Sequence, residues 1–210
     1  MIKLTKRLNA VASLVNSGSS VADVGCDHGY VPVYLVKNNI ARFCVAMDIN
    51  EKPLASCQKL VLEEKLEDKI TTRLSNGLEK LESGECDTVI IAGMGGELIV
   101  DIISRCSFSN ELHFILQPMT HPEYVRKYLY DNGYEIFNDI IIDEGKHSYC
   151  VFDTKYTGKI TPKTQKDYYL GNIKDFSNKK YFSHLLNYLN NKAKSGVDLT
   201  EVISAVEEIL

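Results

Sequence analysis

Between Val21 and Pro118 the chain repeats one pattern: a short, nearly continuous apolar run, then a segment with apolar positions three or four apart. The runs Val21–Gly25, Phe43–Asp48, Ile70–Ser75, Cys86–Gly93 and His113–Pro118 read as strands. Helices are expected from Tyr30 to about Asn39, Glu51 to about Glu64, Glu97 to about Arg105 and Glu123 to Asn132. Pro53 falls in a first helical turn, where its missing N–H has no partner to lose. Gly133 ends the last helix. Strands that are apolar on both faces, with helices between them, imply a parallel sheet covered on both sides. Ahead of them, Leu4, Leu8, Val11, Ala12 and Val15 recur at helical spacing, with Lys6 and Arg7 off that stripe.

The pattern then changes. Tyr134–Asp143 and His147–Tyr156 are strand-like and separated only by Glu144-Gly145-Lys146. Three residues cannot carry a parallel crossover, so these runs form an antiparallel hairpin. A dinucleotide-binding dehydrogenase would continue with another strand–helix–strand unit. A mostly parallel seven-stranded α/β sheet ending in an antiparallel hairpin is the Rossmann-like arrangement of class I methyltransferases.

A Gly/Pro/Thr linker, TGKITPKT, follows Tyr156, and beyond it only helices are expected. Tyr181, Leu185, Tyr188 and Leu189 share one face, and that helix stops near Ser195-Gly196. Leu199, Val202, Val206 and Ile209 share another, with Asp198 as its cap. The predicted organisation is a domain over residues 1–156 and a small, coiled-coil-like α-helical appendage over 157–210.

Charge sharpens that division. The formal net charge is −4, yet residues 155–194 hold nine lysines against Asp167 and Asp175. A basic appendage on an acidic body is a layout used for nucleic-acid binding. The 44% hydrophobic and 25% charged content is ordinary for a globular protein. No apolar run approaches the roughly 18 residues of a spanning helix, which points to the cytoplasm. The six cysteines include no C-x-x-C pair and the five histidines are scattered, so reduced, buried thiols and no metal site are expected.

Ligands of open parallel sheets sit at the carboxyl ends of the strands. The first such turn is Asp23-Val24-Gly25-Cys26-Asp27-His28-Gly29. The nicotinamide fingerprint G-x-G-x-x-G fails there, because Asp27 occupies the second glycine and Tyr30 the third. A carboxylate at Asp27 would repel a pyrophosphate but suit a cationic ammonium, such as the methionine part of S-adenosylmethionine; it could also cap the following helix. Asp48, at the end of the second strand, has the placement of a ribose-binding acid. Asn76 and Gly77 could read an adenine edge, although Asn-Gly is also a common turn. Gly93, Gly95 and Gly96 in IAGMGGE would leave room for a planar ring. The Asp/Asn-Pro-Pro-Tyr/Phe motif of exocyclic-amine methylation does not stand there. A ring nitrogen with an in-plane lone pair needs positioning and desolvation instead.

Taken together, the L-x-x-R-L start (Leu4–Leu8), VADVGCDHGYVP, Asp48, SNGLE, IAGMGGE, ILQP and the DEGKHSY turn resemble the bacterial tRNA adenine-N1 methyltransferases that modify adenine 22 of the D-arm. Met119 departs from the pattern, since members often carry Asn after Gln-Pro. The resemblance implies S-adenosyl-L-methionine as cofactor, contacted by Gly25, Cys26, Asp27, His28, Asp48, Ile49, Asn76, Gly77, Gly93 and Met94. It implies Asp27, His28 and Gln117 as catalytic residues, with the acceptor near Met94 and Pro118. It gives the basic residues Lys6, Arg7, Arg126, Lys179, Lys180, Lys192 and Lys194 the task of holding tRNA phosphates. The protein would be a monomer that exposes a stacked or paired adenine. Competing readings are a methyltransferase for a small molecule or protein, and a tRNA-binding protein without catalysis.

Overall fold

A computed structural model describes residues 2–160 and 162–210, so Thr161 of the linker lies outside it. Five strands, β1 (Ser19–Val24), β2 (Ala41–Asp48), β3 (Ile70–Leu74), β4 (Thr88–Gly95) and β5 (His113–Thr120), are parallel. They are joined through α2 (Tyr30–Lys37), α3 (Glu51–Glu63) and α4 (Gly96–Ser104). The hairpin strands β6 (Tyr134–Glu144) and β7 (His147–Tyr156) follow α5 (Pro122–Asp131). The sheet order is β3-β2-β1-β4-β5-β7-β6, and β7 is antiparallel to both neighbours. The order reverses between β1 and β4, which places the switch point beside the first glycine turn.

Alternating strand residues divide the core into two layers. Val21, Cys44, Ala46, Ile90 and Ile115 face α1 (Lys6–Ser13), α2 and α3. Ala22, Val45, Met47, Ile91, Phe114 and Phe152 face the other helices. All six cysteines are unpaired and buried. Among the described residues no helix is long and apolar enough to cross a membrane.

Beyond the linker stand α6 (Gln165–Leu170), α7 (Lys179–Ala193) and α8 (Thr200–Ile209). Helix α6 is too short for periodicity to announce, but Thr164 and Asp167 form a reciprocal capping box at its start. The cap expected at Asp198 is corrected: Leu199 holds the N-cap position of α8 without a side-chain bond, and Asp198, one residue earlier, accepts the Thr200 N–H at 3.1 Å. Tyr169, Leu170, Phe182, Leu189, Val202 and Val206 belong to the same apolar layer as Phe114 and Phe152. The appendage expected from the sequence thus shares its core with the sheet.

One buried cation fastens it. Arg126 on α5 is 0% exposed. It donates through Nε and Nη2 to Asp139 at 2.8 and 3.0 Å, and through Nη1 to the carbonyls of Tyr168 and Tyr169 at 3.1 and 3.0 Å. Its guanidinium lies over the Phe152 ring, 4.9 Å from the centroid. Gly171, at φ +59°, passes so close that a Cβ would collide with this pair. The expectation that Arg126 holds tRNA is therefore corrected: its donors are spent inside the protein, where an unpaired charge would be costly.

Candidate active site

The carboxyl edge of the parallel strands carries a cavity of about 310 Å³, lined by Asp23, Gly25, Asp27, His28, Gly93 and Arg7 among others. Gly25 is at φ +74° and Asp27 at φ +49°, so the chain reverses sharply between β1 and α2. Gly29, also left-handed, caps α2 without a side-chain bond, so Asp27 does not cap the helix. A Cβ on Gly29 would meet Cys57 Sγ at 2.5 Å, which explains the glycine by close packing of the turn on α3. A Cβ on Gly25 would collide with the Met94 methyl, so the bare backbone there faces the end of β4.

Three carboxylates surround this turn. Asp48 Oδ2 accepts the Asp27 N–H at 3.3 Å and Oδ1 accepts the Asn50 N–H at 2.9 Å. Each oxygen keeps a lone pair for a hydroxyl. The Asp27 side chain is mostly exposed, with His28 Nε2 3.7 Å from its carboxylate. Asp23 is the buried member, 4% exposed. No hydrogen bond from the described residues reaches its carboxyl group. Burial, and then the neighbouring Asp48 carboxylate, push its pKa up to about 7. Asp23 has no task in the sequence pattern alone; its one signal there is an acid next to the end of an otherwise apolar strand. The Cys57 thiol and burial push the Cys26 thiol up, which leaves it a poor nucleophile.

The surroundings of Gly93 are built differently from expectation. Gln117 is 0% exposed and does not line the cavity, which corrects its assignment as a catalytic residue. Its Oε1 accepts the Gly93 N–H at 3.0 Å and Arg7 Nη1 at 2.5 Å, and its Nε2 donates to the Pro118 carbonyl at 2.9 Å. Arg7 is turned inward, 18% exposed at its side chain, with its N–H given to Glu144 at 2.9 Å. It acts as a strut between α1, the hairpin turn and the glycine-rich turn, not as a surface contact for phosphate. Asn76 and Gly77 stand next to Asp48, because the Ser75 N–H donates to the Asp48 carbonyl at 2.9 Å. Asn76 opens onto a separate groove of about 130 Å³ and is bonded to Glu79. Ile49 is exposed at the rim.

Residues 4–152 match the family described as a methyltransferase domain. The chain belongs to the methyltransferase-domain family. This methyltransferase is 36% identical over 152 residues to the tRNA (adenine(22)-N(1))-methyltransferase of Bacillus subtilis. That match spans 71% of this chain and 64% of the relative, so it covers less than two thirds of that protein's length. A Streptococcus pneumoniae protein solved with S-adenosyl-L-methionine superposes with a TM-score of 0.89 at 29% identity, covering 99% of this chain and 100% of that one. M. capricolum TrmK, solved with S-adenosyl-homocysteine, gives a TM-score of 0.77 at 29% identity over 98% and 96% of the two chains.

Lysines of this methyltransferase bracket the carboxyl edge of the sheet. Lys180 Nζ donates to the Gly145 carbonyl of the hairpin turn at 3.1 Å, and Lys192 Nζ lies 3.5 Å from Glu123 at the start of α5. Both anchor points stand at the carboxyl edge, so α7 runs alongside it. Lys179 is spent on the Ile209 carbonyl, whereas Lys194 is exposed and bonded only locally to Asn191. Lys6, on the first turn of α1, is exposed.

Proposed function

We propose that this methyltransferase transfers the methyl group of S-adenosyl-L-methionine to N1 of adenine 22 in the D-arm of tRNA, acting as a cytoplasmic monomer. The observation that carries the reading is the unpartnered Asp23 carboxyl, buried beside Asp48 and facing a cavity whose rim is Asp27. An acidic cleft of this kind suits a cationic amino-acid moiety and repels a pyrophosphate. The bare Gly25 backbone and the spare lone pairs of Asp48 fit the rest of such a cofactor. The relatives supply the acceptor: the Bacillus subtilis protein is named for adenine 22.

Asp23 and Asp27 would hold the cofactor's ammonium end, Asp48 its ribose. When bound, the cofactor supplies an electrophilic methyl on sulfur. The chain's own part is placement and exclusion of water. Gly93 is held by Gln117, and Gly96 packs so tightly that a Cβ would lie 2.5 Å from the His121 carbonyl oxygen. This rigid, side-chain-poor turn leaves a slot for a planar base. Adenine N1 would take the methyl on its in-plane lone pair as the sulfur–methyl bond breaks, and it has no proton to lose, so the sulfonium charge would pass to the product ring. The exposed Asp27 carboxylate stabilises that charge, with His28 beside it. The lysines along α7 hold the tRNA without reading its sequence.

Incubation with methyl-labelled cofactor and unmodified tRNA, followed by nucleoside mass analysis, tests this. One-methyladenosine is expected, and it is expected to disappear when position 22 is guanine. Its absence across several tRNAs bearing adenine 22 would overturn the proposal.

A further inference from the structure

A second concavity opens beside the glycine-rich turn. It holds about 420 Å³ between α4, the start of α5 and the C-terminal helices. Its walls include Glu97, His121, Tyr124, Lys127, Tyr168 and Lys192. None of these lines the cavity of Asp23 and Gly25, so the two concavities are distinct. It is nonetheless joined to the catalytic edge through backbone. Gly96 packs on the His121 carbonyl, and Glu97, the next residue, lines the cleft.

Three features of this cleft point to a nucleobase. First, Tyr124 is 47% exposed on the first turn of α5, although a tyrosine so close to the α4–α5 packing could have been covered. Second, cations stand over aromatic rings: Lys127 Nζ is 5.0 Å from the Tyr168 centroid and Lys192 Nζ is 5.5 Å from that of Tyr169. Lys127 is also bonded to Asp131 at 2.6 Å, and Lys192 to Tyr188 Oη at 3.1 Å. Lys127 keeps a donor for a phosphate at the mouth, whereas Lys192 is also 3.5 Å from Glu123 and contributes positive charge more than free donors. Third, His121 is held at φ +53°, a conformation that a non-glycine residue adopts at a cost and that often marks a ligand-facing turn. The acids Glu97 and Glu123 disfavour a phosphate deep inside, and a carboxylate there can accept hydrogens from a base edge. An aromatic floor, a cationic mouth and an acidic wall together are suited to a stacked base whose phosphate stays at the rim.

We propose that this cleft is a stacking subsite for a second, unpaired nucleotide of the same tRNA, flanking the methylated adenine in space, with Tyr124 as its platform. The inference rests on the tRNA reading above. It gives the enzyme a way to keep a displaced neighbour of the target out of the catalytic slot, since base-modifying enzymes must unstack what they act on.

The test uses the full chain. Tyr124→Ala is expected to raise KM for tRNA roughly ten-fold. Cofactor affinity and kcat at saturating tRNA should stay at wild-type values, and Tyr124→Phe should behave as wild type. A wild-type KM in the Ala variant would overturn the subsite while leaving the methylation reading intact. Failure of the wild type to methylate any tRNA would strike the underlying reading instead. Should Tyr124→Ala fold poorly, a second variant decides. The chain has no tryptophan, so Tyr124→Trp places a lone indole in the cleft. Its fluorescence should be quenched by unmodified tRNA and unaffected by cofactor alone. An emission spectrum unchanged at saturating tRNA would overturn the proposal.

Discussion

Replacing Asp23 by Asn should change how stability depends on pH. Asp23 sits in β1 between β2 and β4, in the centre of the sheet, with no hydrogen-bond partner among the described residues and the Asp48 carboxylate nearby. Its pKa is raised from 3.8 to about 7, first by burial and then by Asp48. At about 1.36 kcal/mol per unit, this amounts to about 4 kcal/mol between the protonated and ionised limits. The folded chain binds this proton more tightly than the unfolded chain. The stabilisation is therefore complete below the ordinary carboxylate pKa and is lost as pH rises through about 7. Between about pH 5 and pH 8 the linkage relation gives a loss of roughly 2–3 kcal/mol. Urea unfolding of the ligand-free protein across that range, wild type against Asp23→Asn, isolates it from the other titrating groups. The variant should gain on the wild type by that amount as pH rises. A gap between the two proteins that stays constant within about 0.5 kcal/mol would refute the assignment of a perturbed, unpartnered Asp23. If a cationic cofactor end sits beside this carboxyl, its binding must draw the proton off. Cofactor affinity should then rise towards neutral pH in the wild type and be flatter in the variant.

Arg126→Ala leaves Asp139 buried without its counterion, and a loss of about 3–5 kcal/mol is expected in denaturant unfolding. Gln117→Leu removes the acceptor shared by Gly93 and Arg7; turnover on tRNA should fall by one to two orders of magnitude, roughly the scale of a misplaced catalytic turn, with cofactor affinity kept in a calorimetric titration. Removing the charges of Lys180, Lys192 and Lys194 together should weaken tRNA binding and flatten its dependence on log salt, by a slope of up to about 3 if each lysine meets a phosphate. An unchanged slope would place the phosphate contacts elsewhere.

The sheet was legible because β2, β4 and β5 each carry a nearly continuous apolar run and each crossover helix has a periodic apolar face. The β6–β7 turn followed from length alone. The sharp turn after β1 was legible from Gly25 and Asp27, since a left-handed turn and an acid both leave a mark in sequence. Three things were hidden for a shared reason, that they depend on partners distant along the chain. Arg126 looks like any surface cation on an amphipathic helix until β6 brings Asp139 beneath it. Gln117 looks like a polar group at a strand end until Arg7, 110 positions away, closes on it. The C-terminal helices look separable until their apolar faces are seen to merge with the layer under α5.

The tie between Arg126, Asp139 and the carbonyls of Tyr168 and Tyr169 also bears on how this chain can be rebuilt. Helices that share a core and a counterion with the sheet cannot be exchanged as a module. A chimera that borrows residues 157–210 from another chain must also supply a glycine where Gly171 passes the ion pair and carbonyls where α6 receives the guanidinium. Without them it inherits a charge with half its neighbours missing, and the exchange comes at the expense of folding.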